Sequence, residues 1–272
     1  MEREYMAARF TRIAVLADNH SGHRVGLTPP DWWFSGTANT RQVKIAAIQQ
    51  EMWKWFTREI DKLKPFTHCF HLGDAIDGKG ERSGGTEQTS ADRGEQAQMA
   101  AAVINHVGAP VVVMVHGTPY HVGADEDWES EILPHLKAAK VHLEGHAFPL
   151  INGVQFDLKH FISNSDAPHT RFTALAKTRL WNVMWHHVQE RQPDAQIVLR
   201  AHIHEYRYCG ADGWEVVSCP ALQGYGSKYG ARRCQGTVDI GFLVYEIEGN
   251  GTWRRITRLA RLPHQVVQPL QL

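Results

Sequence analysis

The chain has 272 residues, of which 43% are hydrophobic, and its 29 lysines and arginines are balanced by 29 aspartates and glutamates. This length suits one large domain or two small ones, and the composition supplies enough apolar side chains for a substantial core, which excludes disorder on a large scale. The formal charge of zero counts against a stand-alone tight binder of nucleic acid, although it leaves room for a local basic groove.

The sequence shows no feature of a secreted or membrane protein. Its first residues lack the apolar core of a signal peptide, and no stretch approaches the roughly 20 apolar residues of a membrane span. The four cysteines, Cys69, Cys209, Cys219 and Cys234, form no CxxC pair, so we expect free thiols. We therefore expect a cytoplasmic location and no membrane partner.

Apolar, β-branched runs alternate with amphipathic stretches along much of the chain. Short runs of this kind predict buried strands, whereas apolar residues spaced three and four apart predict helices. The predicted strands cover 12–18, 67–74, 110–117, 154–160, 196–202, 214–219, 238–248 and 252–259. The predicted helices cover 40–64, 91–108, 125–139 and 169–191.

Strands and helices alternate at first, and the last third of the chain is mostly strand. The first pattern is typical of a layered α/β fold, and the second predicts a further sheet packed on the first. No internal repeat or linker divides the sequence, so we predict a single domain over 1–272. Three segments rich in Gly, Pro or polar residues are predicted to be surface loops: 21–39, 78–90 and 223–236.

Five of the predicted strands end in residue types that bind metals. Asp18 and His20 follow the first strand at positions i and i+2, and His202 and His204 repeat that spacing after "QIVLRA". Side chains two residues apart point to the same side of an extended chain. The carboxyl ends of strands line the ligand crevice of open α/β sheets, so we expect these residues to converge. The intervening strand ends supply Asp74, Thr118 with His121 soon after it, and His160.

These residue types favour divalent metal ions. Carboxylate oxygens and imidazole nitrogens suit Mn, Fe, Zn or Ni, and no thiolate is present in the motifs to favour a softer ion. Two ions about 3.5–4 Å apart would share one carboxylate. Asp74 is the natural bridge, because a tight Gly-Asp turn lets the ions approach the backbone. A hydroxide between two such ions would be a strong nucleophile at neutral pH.

The order of these motifs, "DNH", "GD", a Gly-led loop with a His, a lone His and "HIH", resembles the calcineurin-like metallophosphoesterase family. The resemblance runs from residue 12 to about residue 206. It implies a four-layer α/β/β/α sandwich of two mixed β-sheets flanked by helices. It also implies hydrolysis of phosphoesters at a dinuclear metal centre, with manganese favoured over iron, zinc or nickel. One metal would bind Asp18, His20, Asp74 and His204, and the other would bind Asp74, His160, His202 and Thr118, the residue after Gly117.

The third motif departs from that family. The family usually has Gly-Asn-His there, whereas this chain has "HGTPYHVG", so Thr118 stands where an Asn amide oxygen would bind metal. A neutral hydroxyl is a poor ligand, so the second metal site is expected to be the weaker one. His121 either enters the metal shell or is the acid that protonates the leaving group. The loop "GDAIDGKG" also lacks the Arg-bearing continuation of Ser/Thr protein phosphatases.

Taken singly, each of these residues has a simpler interpretation. Asp18 alone could cap a helix, Asp74 alone could form a plain turn, and one histidine among 17 is more often a surface or core residue. The ordered set is what indicates a metal site. His71 and His116 are interpreted as structural histidines that could orient ligands, and "HLEGH" at 142–146 is a weak rival zinc pair.

Two further clusters leave alternatives open. Trp32, Trp33 and Phe34 either form a stacking wall for a base or aryl group or anchor a long loop onto the body of the protein. Lys228, Arg232 and Arg233 either hold a substrate phosphate, since arginine matches its oxygens, or face solvent.

The preferred hypothesis is a metal-dependent phosphoesterase acting on phosphodiesters, which include nucleotides and nucleic acids. The absence of protein-phosphatase features and the aromatic and basic loops motivate the diester preference. The alternatives are a phosphomonoesterase and a non-catalytic scaffold of the same fold that contacts other proteins. The departure at Thr118 is the best support for the scaffold. The sequence does not indicate the oligomeric state.

Overall fold

The computed structural model describes residues 10–33, 40–123, 127–165, 167–189, 191–225, 238–262 and 271. Within these ranges there are eleven strands: β1 Phe10–Leu16, β2 His68–His71, β3 Val111–Val115, β4 Lys140–Glu144, β5 Leu150–Ile151, β6 Val154–Leu158, β7 Ile197–Arg200, β8 Arg207–Ala211, β9 Trp214–Ser218, β10 Gly241–Glu248 and β11 Trp253–Leu259. The same ranges hold four α-helices: α1 Thr40–Asp61, α2 Arg93–Val107, α3 Pro119–Val122 and α4 Thr173–Gln189.

Local chemistry sets where the α2 helix begins and ends. The Asp92 side chain accepts a hydrogen bond from the backbone nitrogen of Glu95 at 3.0 Å, which satisfies one of the free N–H groups of the first turn. The helix ends at Gly108, whose φ of 76° is a left-handed conformation that glycine adopts without strain. The predicted helix over 91–108 is therefore confirmed, with its ends shifted by one or two residues.

The strands form two mixed sheets. The first sheet has the order β11-β10-β1-β2-β3-β4, and the second has the order β5-β6-β7-β9-β8. In the first sheet β1 to β4 run parallel, and in the second sheet β6, β7 and β9 run parallel. Parallel strands place their carboxyl ends along one edge of a sheet, which is where ligands bind in such folds. The architecture thus creates two edges at which the candidate site residues can meet.

Three apolar clusters define the four layers. Alternate residues of a strand face opposite sides, so in β1 Ala14 and Leu16 pack on α1 and α2, whereas Ile13 and Val15 point towards the second sheet. Between the sheets lie buried side chains from both, such as Phe70 and Phe156. A third cluster, which includes Leu175, lies between α4 and the outer face of the second sheet. The chain therefore has the α/β/β/α sandwich of two mixed sheets that the resemblance implies.

The C-terminal strands join a different sheet from the expected one. The sequence predicts that the β-rich last third adds a second sheet, but β10 pairs antiparallel with β1 from Phe10↔Glu248 to Val15↔Leu243, and β11 pairs with β10. All residues of β10 except Glu248 are buried, so this strand needs a covered surface on both faces. Its position inside the first sheet, between the helical layer and the second sheet, gives it two such faces.

The segment expected to be a helix over 125–139 is largely irregular. Residues 124–126 lie outside the described ranges, and the rest forms only a 3₁₀ helix over Ser130–His135. Pro134 within that turn lacks the N–H that an α-helix needs and restricts the residue before it. The strand β4 follows directly, with exposed residues at alternate positions. This strand is not predicted from the sequence. His142 lies on this strand, so "HLEGH" does not form the helical pair considered for zinc.

Two general expectations can be compared with the structure. Cys69, Cys209 and Cys219 are free thiols, as predicted, and Cys234 lies outside the described residues. None of the helices described above combines the length and the apolar character needed to cross a bilayer. The single domain over 1–272 and the cytoplasmic location stay predictions.

A buried polar contact ties the two sheets together. Glu215 on β9 accepts a hydrogen bond from the Tyr245 hydroxyl on β10 at 2.5 Å and pairs with the Arg255 guanidinium on β11. The glutamate and the tyrosine are buried, and only a small part of the Arg255 side chain is exposed. Removing the shared acceptor would leave a cation and a hydroxyl without a partner in a poorly solvated place.

We expect Glu215→Ala to lower the free energy of unfolding by about 3–5 kcal/mol, the usual cost of breaking a buried ion pair on one side. Urea denaturation measures this change. Glu248→Ala, on an exposed residue of the neighbouring β10, is the control and should shift stability by less than about 0.5 kcal/mol. Equal shifts in the two variants would contradict the structural role of Glu215.

Candidate metal centre

The predicted site residues lie just beyond the carboxyl ends of five parallel strands. Asp18 follows β1, Asp74 follows β2 and Thr118 follows β3 in the first sheet. His160 follows β6 and His202 follows β7 in the second sheet, with His204 two residues later. Strand ends of both sheets meet here, because the main-chain nitrogen of His202 donates to the Asp18 carboxylate at 3.2 Å. The structure therefore brings all seven predicted ligands to one region.

Backbone conformation marks the same residues. Among the described residues, only six other than glycine have a positive φ, and five of them are predicted ligands. The left-handed conformation is unfavourable for residues with a Cβ, by about 1–3 kcal/mol each, and such strain clusters at functional sites. The five residues and their φ angles are Asp18 at 50°, His20 at 44°, Asp74 at 50°, His202 at 76° and His204 at 55°.

These left-handed turns change how the histidine pair is used. From the sequence, His202 and His204 are expected to face one point, as alternate residues of an extended strand would. Instead both lie in turns after β7, and each contributes to a different group of candidate ligands. The reason is local, since a positive φ at both residues abolishes the extended geometry on which that expectation depends.

The first group of candidate ligands contains Asp18, His20 and His204. The Nε2 atoms of His20 and His204 are 3.1 Å apart, and the Nε2 of His204 lies 3.4 Å from the Asp18 Oδ1 atom. The Nε2 of His20 lies 3.9 Å from the same oxygen. Two imidazole nitrogens and a carboxylate oxygen facing one another are a suitable donor set for a divalent cation.

The second group contains Asp74, His160 and His202. The Nε2 of His160 lies 3.1 Å from the Asp74 Oδ2 atom, and its Nδ1 donates a hydrogen bond to the Leu72 carbonyl at 2.7 Å. A ring held through one nitrogen in this way presents the other nitrogen to a metal, which is the usual arrangement around metal-binding histidines. The rings of His160 and His202 pack edge to face with centres 5.3 Å apart.

Thr118 contacts Asp74 directly. Its backbone nitrogen donates to the Asp74 Oδ1 atom at 2.7 Å, and its hydroxyl lies 3.2 Å from each carboxylate oxygen. Thr118 thus fixes the orientation of the carboxylate that is expected to bridge the ions. Its role as a ligand in its own right, and the bridging role of Asp74, stay predictions.

A third group contains His20, Asp77 and His121. The Nδ1 of His121 donates to the Asp77 carbonyl at 2.8 Å, and the His121 ring packs edge to face on His20 with centres 4.4 Å apart. The Nδ1 of His20 lies 3.4 Å from the Asp77 Oδ1 atom. His121 is predicted from the sequence, whereas Asp77 is not. The available signal is the second aspartate of "GDAID", three residues after Asp74 on the same loop.

Unsatisfied polar atoms show that the residues fit bound cations. Among the described residues, the buried Asp18 Oδ1, His20 Nδ1 and His160 Nε2 atoms have no hydrogen-bond partner. A buried polar atom is rarely left without a partner in a native protein, and a ligand is one of the explanations when it is. Three such atoms in one place, all nitrogen or carboxylate oxygen, match the donor preference of Mn, Fe, Zn or Ni.

Asp74 and His160 form a tightly coupled ion pair. Burial opposes the charged form of Asp74, but the charge of His160, together with the charges of His121 and His20, outweighs it and lowers the pKa of the carboxyl. Burial likewise disfavours protonated His160, yet the Asp74 carboxylate raises its pKa to about 10. A metal ion bound by the Nε2 of His160 would have to displace this proton, so metal binding here is coupled to proton release.

A further buried carboxyl group, Glu129, holds two of the motif loops together. Its Oε1 accepts from the backbone nitrogen of Ala75 at 2.9 Å, and its Oε2 accepts from that of Gly117 at 2.8 Å. Glu129 is fully buried, and burial followed by the nearby Asp74 charge raises its pKa to about 7. The side chain therefore fixes the distance between the Asp74 turn and the Thr118 turn.

The other residues considered from the sequence, among those that the structure describes, make contacts that support the loops and turns around the site. The indole nitrogen of Trp33 donates to the Thr28 carbonyl at 2.9 Å, which anchors the loop that contains it. The Nδ1 of His71 accepts from the backbone nitrogen of Gly73 at 3.2 Å and supports the Gly-Asp turn, and His116 lies beside Asp127. Four residues lie outside the described ranges: Phe34, Lys228, Arg232 and Arg233.

The four layers and the convergence of the motif residues show that the resemblance to the calcineurin-like metallophosphoesterases extends from the motifs to the fold. No family model matches the sequence, and no curated protein matches it. Among solved structures, the chain is similar to a novel archaeal phosphodiesterase, with a TM-score of 0.45 and 12% identity over 91% of this chain and 100% of that one.

Two further solved structures are similar to a comparable extent. Vacuolar protein sorting 29 from Cryptosporidium parvum has a TM-score of 0.48 and 10% identity, over 93% of this chain and 98% of that one. Vps29 from Entamoeba histolytica, complexed with zinc, has a TM-score of 0.38 and 10% identity, over 92% of this chain and 99% of that one. Similarity at this level says nothing about activity, which has to be argued from the residues of the site.

The raised pKa of Glu129 predicts a specific pH dependence of stability. Because its pKa in the folded protein, about 7, exceeds the ordinary value of 4.5, the folded state binds the proton more tightly than the unfolded chain. This contribution to stability is complete below about pH 4.5 and is lost as the pH rises through 7. Glu129→Gln, which cannot titrate, should lack that loss.

The measurement is the free energy of unfolding of metal-stripped protein from pH 4.5 to pH 8, a range that runs from the ordinary pKa of a glutamate to beyond its raised value in the folded protein. The difference between wild type and Glu129→Gln should change across this range, with the wild type losing stability relative to the variant as the pH rises. Glu131→Gln, on an exposed residue two positions along the chain, is the control and should follow the wild type. Parallel curves for wild type and Glu129→Gln would show that the carboxyl titrates normally.

Proposed function

We propose that this protein is a metal-dependent phosphoesterase with two divalent metal ions, manganese being the favoured metal. The observation that carries the proposal is the left-handed backbone at five of the seven predicted ligands, because strain of this kind persists where a site requires it. The unpartnered donor atoms of both ligand groups add support. The first ion would be held by Asp18, His20, Asp74 and His204, and the second by Asp74, His160, His202 and Thr118.

Metal ions bound here would lower the pKa of water and offset negative charge on a phosphoryl group. The protein's own residues supply the framework for this chemistry. Thr118 fixes the Asp74 carboxylate, Glu129 joins the two loops that carry these residues, and the Leu72 carbonyl fixes the ring of His160. Preorganised groups of this kind contribute to catalysis because they need no rearrangement when charge develops.

His121 is the proposed general acid. Its Nδ1 is engaged by the Asp77 carbonyl at 2.8 Å, which leaves Nε2 as the nitrogen that can carry a proton to a leaving group. Burial, followed by the charge of His20, lowers the pKa of His121, while Asp74 and Asp77 oppose this. The acid form of this histidine is therefore expected to be lost as the pH rises towards neutrality, and a negatively charged substrate would favour keeping the proton.

We propose phosphodiesters as the substrates. A phosphomonoester carries a second negative charge, which calls for additional cations in the site. Beside the His204 turn, Arg171 and Arg207 are both already paired with the buried Glu205. Because these arginines already pair with a carboxylate of the protein, they do not supply the extra positive charge that a monoester needs. The single charge of a diester fits this arrangement better. We also propose a cytoplasmic location, from the sequence alone.

The experiment that tests this proposal compares two variants in the hydrolysis of bis-p-nitrophenyl phosphate with added Mn²⁺. Asp74→Asn removes the charge expected to be shared by the two ions and should abolish turnover. Thr118→Ala removes only a hydroxyl and should raise the Mn²⁺ concentration for half-maximal activity by about tenfold or less, the equivalent of about 1.4 kcal/mol.

Equal losses in the two variants would contradict the different roles of Asp74 and Thr118. Turnover of p-nitrophenyl phosphate at least about tenfold faster than that of the diester would identify a phosphomonoesterase instead. A protein that binds no Mn²⁺ and hydrolyses neither compound would be the non-catalytic scaffold.

The proposed acid predicts that the loss of activity depends on the leaving group. His121→Asn should reduce kcat by about 10²–10⁴-fold for a dialkyl phosphodiester, because its alkoxide leaving group needs a proton. The same variant should lose far less with bis-p-nitrophenyl phosphate, since p-nitrophenolate leaves without one. If kcat falls by the same factor for both substrates, His121 has another role, such as binding metal.

A further inference from the structure

A groove lies beside the candidate metal centre, between α4 and the outer face of the second sheet. Its volume is about 450 Å³, within the range of cavities that hold small molecules. The side chains that line it and carry the argument are Asp157, Lys159, Phe161, Trp181, Trp185 and Arg191. We call this cavity the α4 groove.

The α4 groove lies next to the metal centre. Phe161 directly follows the candidate ligand His160, and its ring centre lies 4.9 Å from that of His202, the other histidine of the second ligand group. The Phe161 side chain is 57% exposed although it is large and apolar. One wall of the groove is therefore built on the segment that carries His160, and it contacts His202, so the groove adjoins the second ligand group.

Aromatic side chains continue along the helix. Trp181 is 55% exposed, and its ring lies nearly parallel to that of Trp185, with centres 6.4 Å apart and an angle of 27° between the planes. Exposed aromatic surfaces that line a groove are suited to stacking on flat rings, and nucleic-acid bases are bound in this way irrespective of their sequence.

The floor of the α4 groove is neutral and its rim is positive. The buried Asp157 carboxylate is balanced by Arg200 at 2.8 Å and His146 at 2.7 Å. Among the described residues, no carboxylate lies within ion-pairing distance of the exposed Lys159 or Arg191. Two exposed cations and several aromatic rings lining one groove match a ligand that combines a flat ring with a phosphate.

We propose that the α4 groove is a subsite for the nucleoside part of a nucleotide phosphodiester whose phosphate is bound at the metal centre. The base stacks on Phe161 and Trp181, and Lys159 lies near the next phosphate along the chain. The catalytic consequence of this subsite rests on the proposed function, whereas binding of the nucleotide does not.

The test uses two diesters with the same leaving group, thymidine 5′-(p-nitrophenyl phosphate) and methyl p-nitrophenyl phosphate. They differ only in the group that would enter the α4 groove. Wild type should prefer the thymidine ester by about tenfold or more in kcat/KM, which corresponds to the lower part of the usual stacking contribution. Trp181→Ala should remove most of this preference through KM, with kcat for the methyl ester unchanged, and Phe161→Ala should also remove most of the preference.

Phe172→Ala is the matched control, because Phe172 is 54% exposed and does not line the α4 groove. It should keep the wild-type preference. An equal kcat/KM for both esters in wild type, or the same preference in all variants, would overturn the subsite.

If neither ester is hydrolysed, the proposed function fails, and calorimetric titration with the dinucleotide TpT decides the subsite separately. Saturable binding that is lost in Phe161→Ala and kept in Phe172→Ala would support it. No binding by wild type would overturn it, and would leave the exposed side chains of α4 as a surface for a protein partner.

Discussion

The close approach of two turns, those after β2 and β3, is the constraint on which the rest of the site depends. A Cβ atom at Gly73 would lie 2.8 Å from the Gly117 Cα atom, and one at Gly117 would collide with the backbone and carboxylate of Asp74. Both positions therefore require glycine. This contact lets the Thr118 N–H donate to the Asp74 carboxylate. Glu129 joins the two turns by accepting a hydrogen bond from the backbone of each. Asp74 is consequently held in a strained conformation, at the meeting point of the motif loops.

The buried charges of the centre explain why it suits cations. Asp18, Asp74 and Asp77 are buried carboxyl groups surrounded mainly by histidines. A buried negative charge is costly unless it is paired, and here the partners are imidazoles, which can exchange a proton for a metal ion. The buried carboxylates are therefore paired with protonated histidines in the absence of metal, and the same histidines can bind a metal ion once they lose the proton.

The sequence predicts the layers and the convergence well, because both follow from local patterns. Apolar runs define the strands, and polar residues at their ends mark the edge where Asp18, Asp74 and His160 meet. It fails where long-range contacts decide. No local sequence pattern shows that β10 pairs with β1 in the first sheet. The many polar residues of β4 give it no apolar run by which a strand could be predicted. Glu129 is similarly hidden, since it looks like an acid at the start of a helix, and only the folded chain shows that it binds two backbone N–H groups.

The proposed site holds two cations, one in each of the two ligand groups at the ends of the parallel strands. Anomalous diffraction from crystals grown with Mn²⁺ tests it most directly. We predict two peaks about 3.5–4 Å apart, one among Asp18, His20 and His204 and the other among Asp74, His160 and His202. Crystals without an anomalous peak at these residues, or with a single ion held by His20, Asp77 and His121, would contradict the account.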